Sequence, residues 1–141
     1  MRRHRRHERP SHRGTPAAAG RVGGAVGRLL LATPFVILGY EAAKEPGNRV
    51  ELAAKIGVPR PDLAVRGNGL AMVAGGVALG LGVLPRAASA GLAASLVPTT
   101  LAGHAFWEDD DPATRKANRI QFLKNVGLAG GLAVLAVRRG G

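Results

Sequence analysis

The sequence contains no cysteine among its 141 residues. The chain therefore forms no disulfide, offers no thiolate to zinc or to an iron–sulfur cluster, and carries no thiol nucleophile. Aromatic residues are also scarce, with three Phe, one Tyr and one Trp. The hydrophobic residues, 46% of the chain, are mostly Ala, Leu and Val, and together with 21 Gly they are typical of helices that pack closely.

Acidic residues are few, and the basic residues are unevenly distributed. The chain has 20 Lys and Arg against 9 Asp and Glu, a net charge of +11. Residues 1–28 hold eight Arg and one acid, Glu8, which gives +7 for this segment alone. Within it, residues 1–20 mix Arg with His, include Pro10 and Pro16, and show no hydrophobic periodicity. This composition predicts a disordered basic tail at residues 1–20.

Four long apolar segments make up most of the remaining chain, at about residues 22–43, 67–84, 87–107 and 121–137. About 20 apolar residues are needed to cross a bilayer as a helix. A soluble bundle would place charged residues on each solvent-facing side, and these segments have almost none. The pattern predicts an all-α integral membrane four-helix bundle at residues 21–141, preceded by the tail.

Basic residues beside the spans predict the orientation of the bundle in the membrane. The N-terminal tail is the heaviest basic cluster, so the N-terminus is expected in the cytoplasm. Four crossings then place Arg86 and the Arg138-Arg139 end on the inner side, and segments 41–66 and 108–119 on the outer side. The first span lacks a clear signal-peptide cleavage site, so we expect it to be retained.

Two further features concern helix shape. In residues 49–57, Leu52 and Ile56 share one helical face and Glu51 and Lys55 share another, which predicts a short amphipathic helix on the outer side. This helix either lies on the membrane surface or packs on the outer ends of the spans. Pro34 and Pro98 fall inside spans and predict kinks.

Polar residues within or beside the spans form the candidate site, because such residues are costly in a membrane unless they have a partner or a function. Four antiparallel spans bring them to one layer near the outer interface, where Lys124 is expected to pair with Glu41 or His104. In the alternative interpretation, Lys124 extends to the interface alone and His104 is an ordinary interface histidine. The predicted polar cluster consists of Glu41, Asn68, His104, Lys124 and Asn125.

Other residues have simpler predicted roles. Arg28 at the inner end and Trp107 at the outer end are expected to anchor the bundle at the two interfaces, where Arg28 can reach lipid phosphate. Small residues four apart on one helical face allow helix backbones to approach closely. Two such pairs predict helix packing, Gly76 with Gly80 and Gly127 with Gly131.

No metal site is expected. The run Glu108-Asp109-Asp110-Asp111 lacks the spacing and the glycine of a calcium loop. His4, His7 and His12 are interleaved with arginines that would repel a cation. The tail is instead expected to bind anionic lipids, and nucleic acid is not expected because no aromatic residue accompanies the arginines.

Several motifs together resemble the DoxX-like family of small four-helix bacterial membrane proteins. They include Arg28-Leu-Leu-Leu followed by Phe35 and Gly39, then Pro98-Thr99, His104-x-Phe106-Trp107, and Gln121-Phe-Leu-Lys-Asn125 before a Gly-rich last helix. The resemblance extends over about residues 25–137. It implies a four-helix membrane bundle, and with the orientation predicted from the basic residues we expect a multi-pass protein of the bacterial cytoplasmic membrane with both termini inside.

Some members of that family are associated with sulfur-compound oxidation, quinone-linked electron transfer or thiol-based oxidative-stress complexes. Without cysteine, and with His104 as the only histidine in a span, this chain holds no bis-His haem and performs no thiol exchange itself. We expect a non-catalytic membrane subunit or anchor for a soluble redox enzyme, able to form a homo-oligomer, with no covalently bound cofactor. The alternatives are a quinone-interacting oxidoreductase subunit, with quinone at the outer polar cluster, and a small-molecule carrier.

Overall fold

The computed structural model describes residues 15–138, and all regular secondary structure in this part of the chain is helical. A short 3₁₀ helix, Phe106–Glu108, precedes the last α-helix. The all-α prediction is confirmed for these residues. The α-helices are α1 (Thr15–Lys44), α2 (Arg49–Lys55), α3 (Pro61–Leu81), α4 (Pro85–Gly103) and α5 (Pro112–Val137).

The predicted boundary of the disordered tail is wrong. Helix α1 begins at Thr15, so residues 15–20 are helical rather than disordered. Pro16 is compatible with this start, because the first backbone N–H groups of a helix have no partner within it and proline lacks that donor. Residues 1–14 and 139–141 lie outside the described residues, and the rest of the tail therefore remains a prediction.

Proline begins three of the long helices. Pro61, Pro85 and Pro112 each occupy the first turn, where the fixed φ angle of proline suits the helix. At α5, the Asp111 carboxylate also accepts hydrogen bonds of 2.7 Å from the backbone N–H and the hydroxyl of Thr114. These two bonds hold the pKa of Asp111 below its usual value. Because these prolines and the Asp111 cap define the helix starts, α3 and α5 begin six and nine residues earlier than the hydropathy pattern predicts.

The four long helices are antiparallel to their neighbours. Helix α1 packs mainly on α3, α3 also packs on α4, and α4 packs on α5. We call the end formed by the start of α1, the end of α3, the start of α4 and the end of α5 the Arg28 end, and the opposite end the His104 end. At the Arg28 end, only residues 82–84 separate α3 from α4.

This connection is compact because Gly82 adopts a left-handed conformation, with φ of 73°. The N–H groups of Gly82 and Val83 donate to the carbonyls of Leu79 and Ala78, an arrangement that closes the end of α3. Leu84 is also left-handed, with φ of 44°, directly before Pro85. At the His104 end, α2 packs on α3 and α4 and buries Ala53, so it is a connecting helix on the ends of the bundle.

The core is small, and the exterior is strongly apolar. The buried core is formed by Ala32, Phe35, Met72, Leu79, Leu92, Leu96 and Leu132. Many large apolar side chains point outward, such as Leu30, 70% exposed, and Leu70, 63% exposed. An exterior of this kind suits lipid rather than water.

Three of the long helices are long and apolar enough to cross a membrane, at residues 18–44, 61–81 and 112–137. Helix α4, which includes two Ser, two Thr and two Pro, is not among them. The membrane character of the chain is thus supported by three helices. The fourth crossing remains a prediction.

Candidate functional site

The backbones of α1 and α3 approach closely at two glycines. A Cβ atom at Gly39 would lie 2.7 Å from the carbonyl oxygen of Gly69, and one at Gly69 would lie 2.6 Å from the carbonyl oxygen of Gly39. Two and three turns further along α3, Gly76 and Gly80 also face α1. At Gly76 a Cβ atom would lie 2.8 Å from Val36 Cγ2. The predicted pair Gly76 and Gly80 therefore lies in the α1–α3 interface. Gly39 and Gly69 lie in the same interface, although neither has a second glycine four residues away.

The second predicted glycine pair behaves differently. A Cβ atom at Gly131 would lie 3.3 Å from Leu31 of α1, so this glycine lies where α5 meets α1. Gly127 has no atom of the described residues within 4 Å of its Cβ position. It lies on the outer face of α5, so the expected close packing at Gly127 is not formed within the part of the chain that the structure describes.

Two residues of the predicted polar cluster join α4 to its neighbours. The Ser95 hydroxyl of α4 donates to Asn68 Oδ1 of α3 over 2.7 Å. On the other side, Asn125 Nδ2 of α5 donates to the hydroxyl of the buried Thr100 over 3.0 Å. Helix α4 is therefore held from both sides by polar contacts. Their partners on α4, Ser95 and Thr100, were not identified from the sequence.

His104 lies at the end of α4 in a short polar chain. Asn118 Nδ2 donates to Asp109 Oδ2 over 2.9 Å, so the amide oxygen of Asn118 is left to accept a hydrogen bond. That oxygen lies 3.4 Å from His104 Nδ1, which indicates that Nδ1 carries the proton. In neutral His104, Nε2 is then the acceptor nitrogen. The histidine is half-buried.

The expected pairing of Lys124 with Glu41 or His104 is not formed, and this part of the cluster prediction is wrong. Glu41 is exposed, and its carboxylate lies 3.9 Å from Arg49 Nη2. Lys124 is exposed and makes no ion pair or hydrogen bond with residues 15–138. Successive residues of a helix point about 100° apart, so Lys124 faces outward when Asn125 faces α4. This position agrees with the alternative in which Lys124 extends to the interface alone.

Trp107 belongs to a cluster of three aromatic rings at the His104 end. Its ring centroid lies 5.1 Å from that of Phe106 and 5.8 Å from that of Phe122, and Phe106 and Phe122 are 5.5 Å apart. All three pairs are edge-to-face, which is a favourable arrangement. The cluster joins the 3₁₀ helix to α5. Trp107 remains 53% exposed, as an interface anchor would be.

Three arginines lie at the C-terminal ends of neighbouring helices. Arg66 Nη1 donates to the last carbonyls of α1, Ala43 and Lys44, over 2.8 and 3.1 Å. Arg86 Nε donates to the Ala136 carbonyl near the end of α5 over 3.1 Å. The Arg28 guanidinium lies against Gly82, at the end of α3. Such ends expose unpaired carbonyls and carry partial negative charge, so each arginine is favourably placed.

The described residues contain surface grooves, and no metal site. No group of three His, Asp or Glu side chains among residues 15–138 is arranged to hold a metal ion. One apolar groove of about 310 Å³ lies between α1 and α3. A second cleft of about 520 Å³ lies at the start of α4, between the α3–α4 connection and the end of α5.

The sequence matches the model of a known protein family. The model of the DoxX family matches residues 23–105, from the early turns of α1 to just beyond α4. The match ends before the 121–125 motif of α5. No curated protein and no solved structure matches the chain at a significant level. Because the matched segment includes more than half of the sequence, and because its helices have the expected membrane character, the chain belongs to the DoxX family.

Proposed function

We propose that the chain is an integral membrane subunit that anchors or supports a redox enzyme in the cytoplasmic membrane of a bacterium. The observation that carries this proposal is the position of apolar and polar side chains on the long helices. The exposed side chains of the long helices are largely apolar, whereas Asn68 and Asn125 are bonded between helices. The redox character of the partner is proposed from the DoxX family alone.

In the proposed topology, α4 crosses the membrane as a fourth span. Its 19 residues rise about 28 Å, close to the roughly 30 Å of the hydrocarbon core. It also lies antiparallel to α3 and α5, and its polar side chains Ser95 and Thr100 bond to those neighbours rather than facing lipid. Both chain termini are then in the cytoplasm.

Single cysteines test this topology without background, because the chain has none of its own. We would introduce Asn48→Cys, Val83→Cys or Asp110→Cys and label intact and permeabilised cells with a membrane-impermeant maleimide. Cysteines at 48 and 110 should react in intact cells, and the one at 83 only after permeabilisation. If 83 and 110 react from the same side, α4 does not cross the membrane.

Co-purification tests the anchoring function. The full-length chain would be tagged at its C-terminus, extracted in a mild detergent, and analysed with its bound proteins by mass spectrometry. A tagged multi-pass membrane protein of another family, expressed at the same level, is the control. We expect an oxidoreductase or sulfurtransferase to be enriched over this control. Repeated purification with no such enzyme enriched would contradict the proposal.

A quinone-interacting subunit is the second candidate function. It is supported by the half-buried His104, whose Nδ1 lies 3.4 Å from the Asn118 amide oxygen, directly before the aromatic cluster. Trp107 is the only tryptophan, so its fluorescence reports on this region alone. Saturable quenching by a soluble quinone analogue should be lost in His104→Leu, and equal quenching in both proteins would contradict quinone binding at His104. The carrier alternative has no supporting observation among residues 15–138.

A further inference from the structure

We propose that the face between α1 and α3 binds one anionic phospholipid, with its phosphate at Arg28 and an acyl chain in the adjoining groove. We call this groove the Arg28 groove. Its lining residues on α1 are Leu29, Ala32, Thr33, Val36 and Ile37, and on α3 they are Gly76, Val77, Gly80 and Leu81. The proposal concerns a site within the helices, separate from any lipid attraction of the N-terminal tail.

The shape of the groove suits a hydrocarbon chain. Gly76 and Gly80 pack directly against α1 and add no side chain that would narrow the groove beside them. The volume of about 310 Å³ is lined almost entirely by apolar atoms. From Leu29 to Ile37 the groove follows α1 for about 12 Å. Leu29 and Leu81 are exposed on its two sides, so it opens outward to the lipid.

Arg28 directly precedes Leu29, at one end of the groove, and has no counter-ion among residues 15–138. Its guanidinium lies between Gly24 of its own helix and Gly82, directly after α3; a Cβ atom at these glycines would lie 3.8 Å from Nη1 and 3.4 Å from Nη2. Arg28 makes no ion pair or hydrogen bond with residues 15–138, and its Nε is buried without a partner. Arg66 and Arg86, in contrast, donate to backbone carbonyls.

The helical segments at the Arg28 end offer no carboxylate to Arg28. Asp and Glu are absent from residues 9–40, 63–107 and 112–141, which include every helical segment at the Arg28 end. Arg21, two turns before Arg28 on the same side of α1, adds a second positive charge. No anion for this position is therefore available among residues 15–138, and arginine binds phosphate oxygens in a favourable geometry.

A phospholipid is the occupant that fits both parts of the site. It supplies a phosphate at the depth of Arg28 and a chain for the apolar groove beside it. A second parallel copy of this chain would instead bring the same arginines together and leave their charge unbalanced. Free phosphate would satisfy Arg28 but would leave the groove unexplained.

Native mass spectrometry of the purified full-length chain in detergent tests the proposal. Phosphatidylglycerol and phosphatidylcholine with identical acyl chains would be titrated in turn. We expect one phosphatidylglycerol to be retained preferentially, and Arg28→Gln to weaken its binding about tenfold, since a charge-assisted bond to phosphate is lost. Arg28→Lys should retain most of the binding because the charge remains. Arg86→Gln, which removes one charge at the same end, is the matched control and should bind as the wild type does.

Thr33→Phe tests the groove separately from the charge. The larger ring would fill the groove without touching Arg28, and it should weaken phosphatidylglycerol binding while the helical circular dichroism stays unchanged. Equal binding by the wild type and Arg28→Gln would overturn the proposal, as would an equal loss in Arg86→Gln. Preference for phosphatidylcholine would also overturn it. If excess inorganic phosphate displaces the lipid and Thr33→Phe has no effect, the site binds a phosphate group only and the groove assignment is wrong.

Discussion

Gly39 and Gly69 are the residues that determine how closely α1 and α3 can approach. We expect Gly69→Ala to destabilise the protein by about 1–3 kcal/mol, the usual cost of overpacking a tight interface. Its Cβ atom would lie 2.6 Å from the Gly39 oxygen and 2.8 Å from the Ala43 nitrogen, and both are backbone atoms that move only with their helix. Thermal unfolding in detergent, followed by circular dichroism, measures the effect.

Gly127→Ala is the matched control for this substitution. No described atom lies within 4 Å of its Cβ position, so the alanine should be tolerated or should stabilise α5 by up to about 1 kcal/mol through its higher helix propensity. A Gly69→Ala variant as stable as Gly127→Ala would show that the two helices are further apart than described.

At the residue scale, the sequence predicts what local spacing determines and misses what depends on helix rotation. Gly76 and Gly80 are four residues apart, and this spacing alone indicates a packing face. Gly39 and Gly69 are thirty residues apart, and only the register of α1 against α3 brings them together. Ser95 is missed for the same reason, because serine is common in membrane helices and its role depends on facing Asn68.

Helix α4 depends on both of its neighbours, because its polar side chains Ser95 and Thr100 bond to α3 and α5. We expect Asn125→Leu to weaken the α4–α5 contact by about 0.6 kcal/mol, and by no more than about 1.7, as measured for bonds between membrane helices. The Asn125 amide would no longer donate to Thr100. A double-mutant cycle with Thr100→Val, measured by thermal unfolding, isolates this interaction.

Lys124→Met controls for substitution at a neighbouring position of the same helix turn. Because Lys124 is exposed and has no partner among residues 15–138, its replacement should leave the unfolding temperature within error. Destabilisation of the same size as in Asn125→Leu would mean that Lys124 faces the bundle after all.

Helix boundaries show which signals the hydropathy pattern misses. Charged first turns hide the true starts of α3 and α5, since Asp62 and Arg66 in one and Arg115 in the other lower the local hydropathy. Proline and capping signals at Pro61 and at Asp111-Pro112 were present in the sequence and would have placed both starts correctly. Helix α4 ends earlier than predicted because the chain turns at His104 into the 3₁₀ helix.

The arginines at the helix ends explain why basic residues occur so close to apolar segments. Arg66 belongs to α3, and its side chain donates to a carbonyl at the end of α1. Arg28 belongs to α1, and its guanidinium lies at the end of α3. The two helices thus place a positive charge at each other's negative end. The sequence alone predicts roles in membrane orientation and, in the case of Arg28, in anchoring at the interface, because it does not specify which carbonyls lie nearby.

Across the whole molecule, charge is concentrated before the first span, and this distribution is expected to set the orientation. Deleting residues 2–14 removes six Arg and one Glu. Five basic residues then remain on the inner side against eight in the two outer segments, so we expect a mixed orientation with a substantial inverted fraction. In a background carrying Val83→Cys, a membrane-impermeant maleimide should then label a substantial fraction of the protein in intact cells.

A tail in which all six arginines are replaced by lysine is the control for this deletion. It keeps the charge and the length, so position 83 should remain inaccessible in intact cells. Continued inaccessibility after the deletion itself would mean that the helices alone determine the orientation.

The class of the whole molecule was predictable because four long segments almost without charge leave few alternatives to membrane helices. The helix pair to which each polar residue belongs was not predictable from the sequence. Glu41 and Lys124 were assigned to one layer by their depth, yet depth does not determine the direction in which a side chain points. The basic side chain that lies near the Glu41 carboxylate is Arg49 on the connecting helix.

The three residues between α3 and α4 have a consequence for how the protein is made. With a connection this short, α4 cannot be inserted independently long after α3. The two helices are therefore expected to enter the bilayer together as a hairpin during synthesis. The more apolar α3 would carry with it a helix whose own composition does not qualify it as a span. Helix α5, synthesised last, would then supply the second polar partner that α4 needs in the lipid.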